Sequence, residues 1–198
     1  YYQAYVEGTS LSAVYAAWGE DAARCLGVTR QLIGDPHFGA GAFRYCGNIG
    51  PQAVTVAQAH AFTALGKTLA AACGLQGIFG IDVVIDHTGT IRPVEINPRY
   101  PAGVEVLERA GLHPVLATGA AGDGDTMMAQ TPPGSGVQGR VAGKAIVYAR
   151  HDAITPDPYA CCASAEVADV PDVGTLLRRG APVCTVLAAA VDDPACEA

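Results

Sequence analysis

The sequence lacks the features that mark several common protein classes. It has no apolar run long enough to cross a bilayer and no signal-peptide pattern at its start. Only 12 of the 198 residues are lysine or arginine, against 19 aspartates and glutamates. Because these cations are dispersed and the net charge is −7, no nucleic-acid partner is predicted. We expect a cytoplasmic protein that binds neither nucleic acid nor membrane.

The seven cysteines form no metal or disulfide pattern. Their number is odd, their spacing is irregular and no C-x-x-C pair is present. We therefore expect reduced, partly buried thiols rather than a disulfide framework or a zinc site.

The hydrophobic pattern predicts strands first and then one long helix. Residues 1–17 read as two short strands around a tight turn near Gly8, and residues 24–33 as a further strand. A glycine-rich loop follows. Apolar residues then recur at helical spacing through 52–73, with a proline before the start and a glycine after the end.

Two acidic residues interrupt apolar runs in the stretch GIDVVIDHTGTIRPVEINPRYP, residues 80–101. If Thr88–Gly89 forms a two-residue turn, Asp82 and Glu95 lie opposite each other on a β-hairpin. A bulge at the turn would shift the pairing by one residue and still keep both on one face. Opposed like charges are destabilising, so they must share a proton or hold a cation.

The neighbouring side chains favour the cation. Asn97 follows Glu95 by two residues, which adds a neutral oxygen to the same strand face, and Arg99 comes two residues later. An all-oxygen ligand set suits Mg²⁺ or Mn²⁺ better than zinc or copper. Magnesium shares its coordination shell with substrate phosphates, which implies a nucleotide. The alternative is that both carboxylates are solvated, outward-facing strand residues.

The motif FGIDVVI, followed by VEINPR, resembles the metal-binding hairpin of the ATP-grasp superfamily. The resemblance implies that Asp82, Glu95 and Asn97 hold two magnesium ions against the phosphates of ATP. Arg99, in the form Glu-x-Asn-x-Arg, is similar to the carboxylase-like branch, where this arginine positions an anionic intermediate.

Two further stretches carry the resemblance. YYQAYVEG resembles the hinge strand whose backbone brackets the adenine, and FRYCGNIGP falls where many members have a phosphate or substrate loop. Gln3 and Ser10 depart from the acidic residues that are commoner at these positions. The nucleotide- or substrate-binding residues implied are Gln3, Ala4, Val6, Ser10, Arg44 and Asn48.

The resemblance implies an α+β fold, an antiparallel sheet with packed helices. We expect the carboxy-terminal part of an ATP-grasp domain over 1–119, a linker or mobile loop over 120–137 and a small β-rich subdomain over 138–198. The last segment looks like uncharacterised carboligases related to biotin carboxylase. Because the chain starts abruptly, we expect that an amino-terminal half of the same protein is missing.

The implied function is an ATP- and Mg²⁺-dependent ligase that activates a small carboxylate as an acyl phosphate for attack by an amine or a similar nucleophile. We expect the chain alone to be inactive and a homodimer to be possible. One alternative is a carboxylase that uses bicarbonate through carboxyphosphate. The other is a nucleotide-binding domain without chemistry, which the scarcity of lysines and the non-acidic Gln3 and Ser10 favour.

Overall fold

The fold is organised around antiparallel strand pairing. The computed structural model describes residues 2–19, 22–113, 140–157 and 166–197. The strands are β1 (Gly8–Ala17), β2 (Ala23–Ile33), β3 (Tyr45–Gly50), β4 (Gly77–Asp86), β5 (Ile91–Asn97), β6 (Val141–Tyr148), β7 (Ala153–Ile154), β8 (Val167–Ala168), β9 (Leu176–Leu177) and β10 (Pro182–Ala190). The helices are a short 3₁₀ turn (Pro36–Phe38), α1 (Val56–Cys73), α2 (Gly103–Arg109) and α3 (Asp193–Glu197).

Eight of the described strands form one sheet in the order β5-β4-β1-β2-β3-β6-β10-β8. Neighbouring strands in it pair antiparallel, and β7 pairs separately with β9. The expected α+β class, an antiparallel sheet with packed helices, is confirmed. None of the helices in the described part of the chain has the length and apolar composition that a membrane crossing requires.

Helix α1 begins later than the sequence pattern predicts. The predicted start at residue 52 is wrong because Thr55 caps the helix: its hydroxyl accepts a hydrogen bond from the Gln58 backbone, and the Gln58 side chain accepts one from the Thr55 backbone. The end is as predicted, with Gly74 in the left-handed conformation after Cys73.

The opening segment also differs from its prediction. Residues 2–7 form no strand, and the predicted turn near Gly8 is instead the start of the single long strand β1. The reason is pairing: β1 is hydrogen-bonded along its length to β4 from Gly8↔Asp86 to Ala17↔Gly77, so the chain does not turn back there.

Three of the carboxy-terminal strands, β6, β8 and β10, extend the main sheet, whereas β7 and β9 form a separate two-stranded sheet. Strand β6 pairs with β3, and β10 then pairs with β6. The predicted linker, 120–137, and both of its boundaries lie outside the described residues. The division into a domain and a subdomain stays a prediction.

The two faces of the sheet are covered unequally. Helix α1 packs on one face, where Tyr15 stacks on Phe79 at 5.2 Å between ring centroids and Phe62 is fully buried. Helix α2 packs on the other face through Val104 and Leu107. Helix α2 has only seven residues and contacts β1, β2, β3 and β6, and a polar area lies beside its first residue, Gly103.

Gly66 lets α1 approach the aromatic core. A Cβ at this position would lie 2.3 Å from the Tyr15 ring, which is itself buried against the sheet. Helix propensity alone predicts that Gly66→Ala stabilises the protein by about 1 kcal/mol. We expect the opposite sign, a loss of about 1–3 kcal/mol in the free energy of unfolding, because the core has to shift.

Chemical denaturation of the Gly66→Ala variant measures this loss. Ala64→Gly, on the exposed side of the same helix, is the matched control and should cost about 1 kcal/mol from propensity alone. A Gly66→Ala variant more stable than the wild type would contradict the packing described.

Candidate functional site

The β4–β5 hairpin places its two carboxylates opposite each other. Asp82 pairs with Glu95, and Gly80 pairs with Asn97 two pairings further from the turn. Nearer the turn the register changes by one residue, since Val94 has no partner and forms a bulge. The predicted pairing is therefore confirmed, although the turn that produces it is a different one.

The predicted two-residue turn is wrong because Asp86 organises a longer loop. Its Oδ1 accepts hydrogen bonds from the Thr88 backbone at 2.9 Å, from the Thr88 hydroxyl at 2.6 Å and from the Thr90 backbone at 3.0 Å. Its Oδ2 pairs with Arg92 Nε at 3.0 Å. Hydrogen bonds from Thr88 first, and then Arg92 and Thr90, hold the pKa of Asp86 well below its usual value.

Asp82 is held by neutral donors. The Ser12 hydroxyl donates to Asp82 Oδ1 at 2.7 Å, and Asn97 Nδ2 donates to Asp82 Oδ2 at 3.2 Å. Among the described residues, no lysine, arginine or histidine nitrogen lies within 4.0 Å of the carboxylate of Asp82 or Glu95. Within the described part of the chain, the two carboxylates thus face each other without a cationic side chain in contact with them.

Arg99 lies at the border of this arrangement. One guanidinium nitrogen donates to Asn97 Oδ1 at 3.3 Å, and another donates to the Tyr100 carbonyl at 3.4 Å. The side chain is exposed, so it remains accessible to an anion that approaches from solvent.

These side chains line a pocket of about 290 Å³ on the polar area beside α2. Five strands, the segment before α2 and the first residue of α2 contribute to it. The lining residues are Ser12, Gln31, Tyr45, Asn48, Asp82, Glu95, Asn97, Arg99, Pro101, Ala102 and Gly103.

The pocket brings together five of the residues predicted from the sequence, Asp82, Glu95, Asn97, Arg99 and Asn48. The other predicted residues do not line it. Arg44 lies over the Tyr148 ring at 4.2 Å and donates to the Gly180 carbonyl at 2.7 Å, so its guanidinium has a structural role here. Asn48 is 2% exposed and forms part of the pocket floor.

The predicted hinge residues lie outside the pocket lining as well. Gln3 and Ala4 are exposed, and Val6 is half-buried. Gln3 Nε2 donates to the carbonyl of the bulged Val94 at 3.5 Å, which places this segment along edge strand β5. Ser10 lies on β1 opposite Val84 and is half-buried.

Ser12, Gln31 and Tyr45 line the pocket and were not predicted. The alternation along β1 carries a signal for one of them, since Ser12 follows Ser10 by two residues and therefore shares its face. Gln31 and Tyr45 carry no such signal, because they reach the pocket only through the pairing of β2 with β3.

The donor set fits a hard divalent cation that keeps part of its shell for other ligands. Two carboxylates and one amide are too few to enclose an ion, and no group of three or more histidine, cysteine or acidic side chains is close enough to do so within the described residues. Mg²⁺ and Mn²⁺ are bound in this way, by one or two carboxylates with water and substrate phosphate completing the shell.

A larger cavity of about 580 Å³ lies between the start of α1 and the β4–β5 turn. Its lining contains no charged side chain. It offers nothing to hold a metal ion or a phosphate, and the smaller pocket is therefore the candidate site.

Comparison with known proteins finds one matching family model and many solved structures with a similar fold. A family model described as ATP-grasp domain matches residues 1–103. No individually curated protein sequence matches the chain. Among solved structures, an ATP-grasp superfamily protein from Archaeoglobus fulgidus is 22% identical, with 92% of this chain and 46% of that protein covered and a TM-score of 0.51.

Two further structures have the same fold at lower identity. The L-amino acid ligase from Bacillus licheniformis is 13% identical, with coverage of 98% and 49% and a TM-score of 0.68. The biotin carboxylase domain of 2-oxoglutarate carboxylase from Hydrogenobacter thermophilus, solved with MgADP, ADP and bicarbonate, is 13% identical, with coverage of 92% and 42% and a TM-score of 0.55. The chain spans about half the length of the structures it matches.

The Asp86 turn makes the hairpin sensitive to acid. Because the pKa of Asp86 is lower in the folded state than its ordinary value of 3.8, its contribution to stability is present above that pH and is lost as the pH falls below it. We expect Asp86→Asn to lose less unfolding free energy than the wild type between about pH 6 and about pH 3. Denaturant titrations at both pH values measure the difference, and equal losses in the two proteins would contradict this role.

Proposed function

Because the chain belongs to the ATP-grasp family, we propose that its pocket holds a magnesium–ATP complex for a ligase reaction. In this reaction a small carboxylate is activated as an acyl phosphate, and an amine or a similar nucleophile then attacks it. The carboxylate oxygen forms a bond to the γ-phosphorus, the bond between the γ-phosphorus and the bridging oxygen breaks, and ADP leaves. The nucleophile then displaces inorganic phosphate from the acyl carbon.

The observation that carries the proposal is the facing pair of carboxylates. Asp82 and Glu95 occupy paired positions, have no cationic partner in the described part of the chain and line an open pocket. Two such charges repel each other across a strand pair, and a cation that binds between them or over them relieves this repulsion. Asn97 supplies a third oxygen two pairings away, on the same face of the hairpin.

Bound Mg²⁺ or Mn²⁺ would neutralise the charge on the β- and γ-phosphates as it builds up in the transition state. Asp82, Glu95 and Asn97 would hold the metal ion. Arg99, exposed beside Asn97, would steady the negative charge of the acyl phosphate through its fork of N–H donors.

The adenine would lie along the opening segment. Its backbone between Gln3 and Val6 is not part of any strand and so keeps hydrogen-bonding groups available for the base. Ser10, on the adjoining end of β1, would be near the ribose. The domain division proposed is the one the sequence predicts, an ATP-grasp part over 1–119, a linker or mobile loop over 120–137 and a β-rich part over 138–198, in a cytoplasmic protein.

A second candidate function is a carboxylase that uses bicarbonate through carboxyphosphate. The exposed Arg99 favours it, because a bidentate guanidinium fits a small planar oxyanion such as bicarbonate. The Hydrogenobacter thermophilus domain, whose structure contains bicarbonate together with MgADP, has the same fold. The pocket of about 290 Å³ is large enough for bicarbonate or for a small carboxylate substrate.

Removal of either carboxylate should weaken nucleotide binding when Mg²⁺ is present and should not weaken it when the metal is absent. With Mg²⁺ present, Asp82→Asn and Glu95→Gln should each weaken binding of a non-hydrolysable ATP analogue by at least about tenfold. With the metal removed by EDTA, the same variants should bind the analogue as well as the wild type or better, since an anion that repels the triphosphate is gone. Calorimetric titration of the natural protein that carries this chain measures both values.

Glu108→Gln is the matched control because it removes one acidic charge outside the pocket lining. It should keep the wild-type gain in affinity on addition of Mg²⁺. A wild type with no such gain, or an Asp82→Asn variant that retains it, would contradict the assigned role of the carboxylates.

Arg99→Gln separates binding from chemistry. We expect the kcat for ADP release to fall by about 10²–10³, because a donor to the developing anion is lost, while the affinity for the magnesium–nucleotide complex stays close to that of the wild type. ADP release is measured with bicarbonate and, separately, with a panel of amino acids. Bicarbonate dependence would identify the carboxylase and amino-acid dependence the ligase, whereas an unchanged kcat in the variant would contradict the role of Arg99.

A further inference from the structure

A row of hydrogen bonds crosses four strands of the sheet and ends at Asp82. Tyr45 on β3 donates from its hydroxyl to Asn48 Oδ1, and Asn48 Nδ2 donates to Thr29 Oγ1 on β2 at 2.6 Å. The Thr29 hydroxyl donates to the Ser12 carbonyl on β1 at 3.3 Å. The Ser12 hydroxyl then donates to Asp82 Oδ1 on β4 at 2.7 Å.

The direction of this row follows from its groups that can only accept, the Ser12 carbonyl and the Asp82 carboxylate. A carbonyl only accepts, so the single hydroxyl hydrogen of Thr29 must point to Ser12, and Thr29 Oγ1 must accept from Asn48. The Asn48 amide is thereby oriented with Nδ2 toward Thr29 and Oδ1 toward Tyr45. Every donor consequently points from β3 toward the Asp82 carboxylate.

The middle of the row is sealed from water. Ser12 is 4% exposed, Thr29 0% and Asn48 2%, and these are three of the five buried polar residues in the described part of the chain. A Cβ at Gly103, the first residue of α2, would lie 3.1 Å from Thr29 Oγ1, so the helix start packs directly over the threonine. In such surroundings hydrogen bonds polarise one another and an unmet partner is costly.

Tyr45 is suited to begin the row. Burial first, and then the negative charge of Asp82, raise the pKa of its phenol above the usual value, so the hydroxyl keeps its proton over the ordinary pH range. It therefore remains a donor. Asn48 has both of its polar atoms engaged inside the protein, which fits a residue that supports the pocket rather than one that reaches an anion.

We propose that Ser12, Thr29, Asn48 and Tyr45 are positioning residues that fix one oxygen of Asp82 for metal binding. The inference rests on the proposed function, because Asp82 has a metal to bind only if that function holds. With Oδ1 fixed by Ser12 and the Asn97 amide on Oδ2, the carboxylate is oriented before the metal–nucleotide complex arrives. Removal of a link leaves the metal ligand in place and loosens its orientation.

Thr29→Val tests the row because it removes the hydroxyl without a change of shape, at a residue that is fully buried and outside the pocket lining. We expect the Mg²⁺-dependent gain in affinity for a non-hydrolysable ATP analogue to fall by about tenfold, with the affinity in EDTA unchanged. Thr29→Ser, which keeps the hydroxyl, should restore the wild-type gain. Thr185→Val is the matched control, since it removes another buried hydroxyl of the same sheet, one that donates to Asp169 at 2.6 Å far from the row.

Ser12→Ala is the second variant, for the case that Thr29→Val does not fold, and it should give a loss at least as large because it removes the direct donor to Asp82. Suppose that Thr29→Val and Ser12→Ala keep the wild-type gain in affinity on addition of Mg²⁺, whereas Asp82→Asn loses it. That result would overturn this inference and leave the proposed function standing. An equal loss in Thr185→Val or in Thr29→Ser would also overturn it, because the effect would then be structural. No Mg²⁺ gain in the wild type would instead refute the proposed function.

Discussion

The repulsion between the carboxylates of Asp82 and Glu95 is the constraint on which the interpretation of this molecule depends. The two residues are paired across neighbouring strands, and neutral donors, not cations, are what the described residues offer to Asp82. A protein that keeps two like charges in this position loses stability unless another ligand is present. The pocket, the oxygen-only donor set and the arginine beside it are all consistent with a cation and the phosphates that it would bring.

The rest of the sheet serves to hold this pair in a fixed place. Helix α1 buries an aromatic cluster on one face and needs a glycine to approach it closely. Helix α2 is short enough to leave the other face partly open, and its first turn seals the hydrogen bonds that run beneath the pocket. The same antiparallel pairing that builds the core therefore aligns polar side chains from β3, β2, β1 and β4 in one row.

Strong local signals predicted the hairpin, the long helix and the hairpin side chains that line the pocket, and long-range pairing decided the features that the sequence did not reveal. The Asp82–Glu95 pairing follows from alternation and a turn, so it was predictable, but two departures combine to produce it: the loop built by Asp86 and the bulge at Val94. Arg44 fits an anion-binding loop by sequence, and the structure adds a contact that the sequence does not show, since its guanidinium lies over the ring of Tyr148, far away in the chain. Residues 2–7 have strand-like composition and form no strand. A strand also needs a neighbouring strand to pair with, and the sequence of the segment alone does not show whether one is available.

The most direct test of the central claim is the anomalous diffraction of manganese in crystals of the natural protein grown with Mn²⁺ and ADP. If the two carboxylates hold a metal ion, an anomalous peak will lie within coordination distance of both Asp82 and Glu95, roughly 2 Å from their oxygens, and in contact with a phosphate of the nucleotide. A manganese peak elsewhere, with an arginine or lysine placed between the two carboxylates, would contradict it.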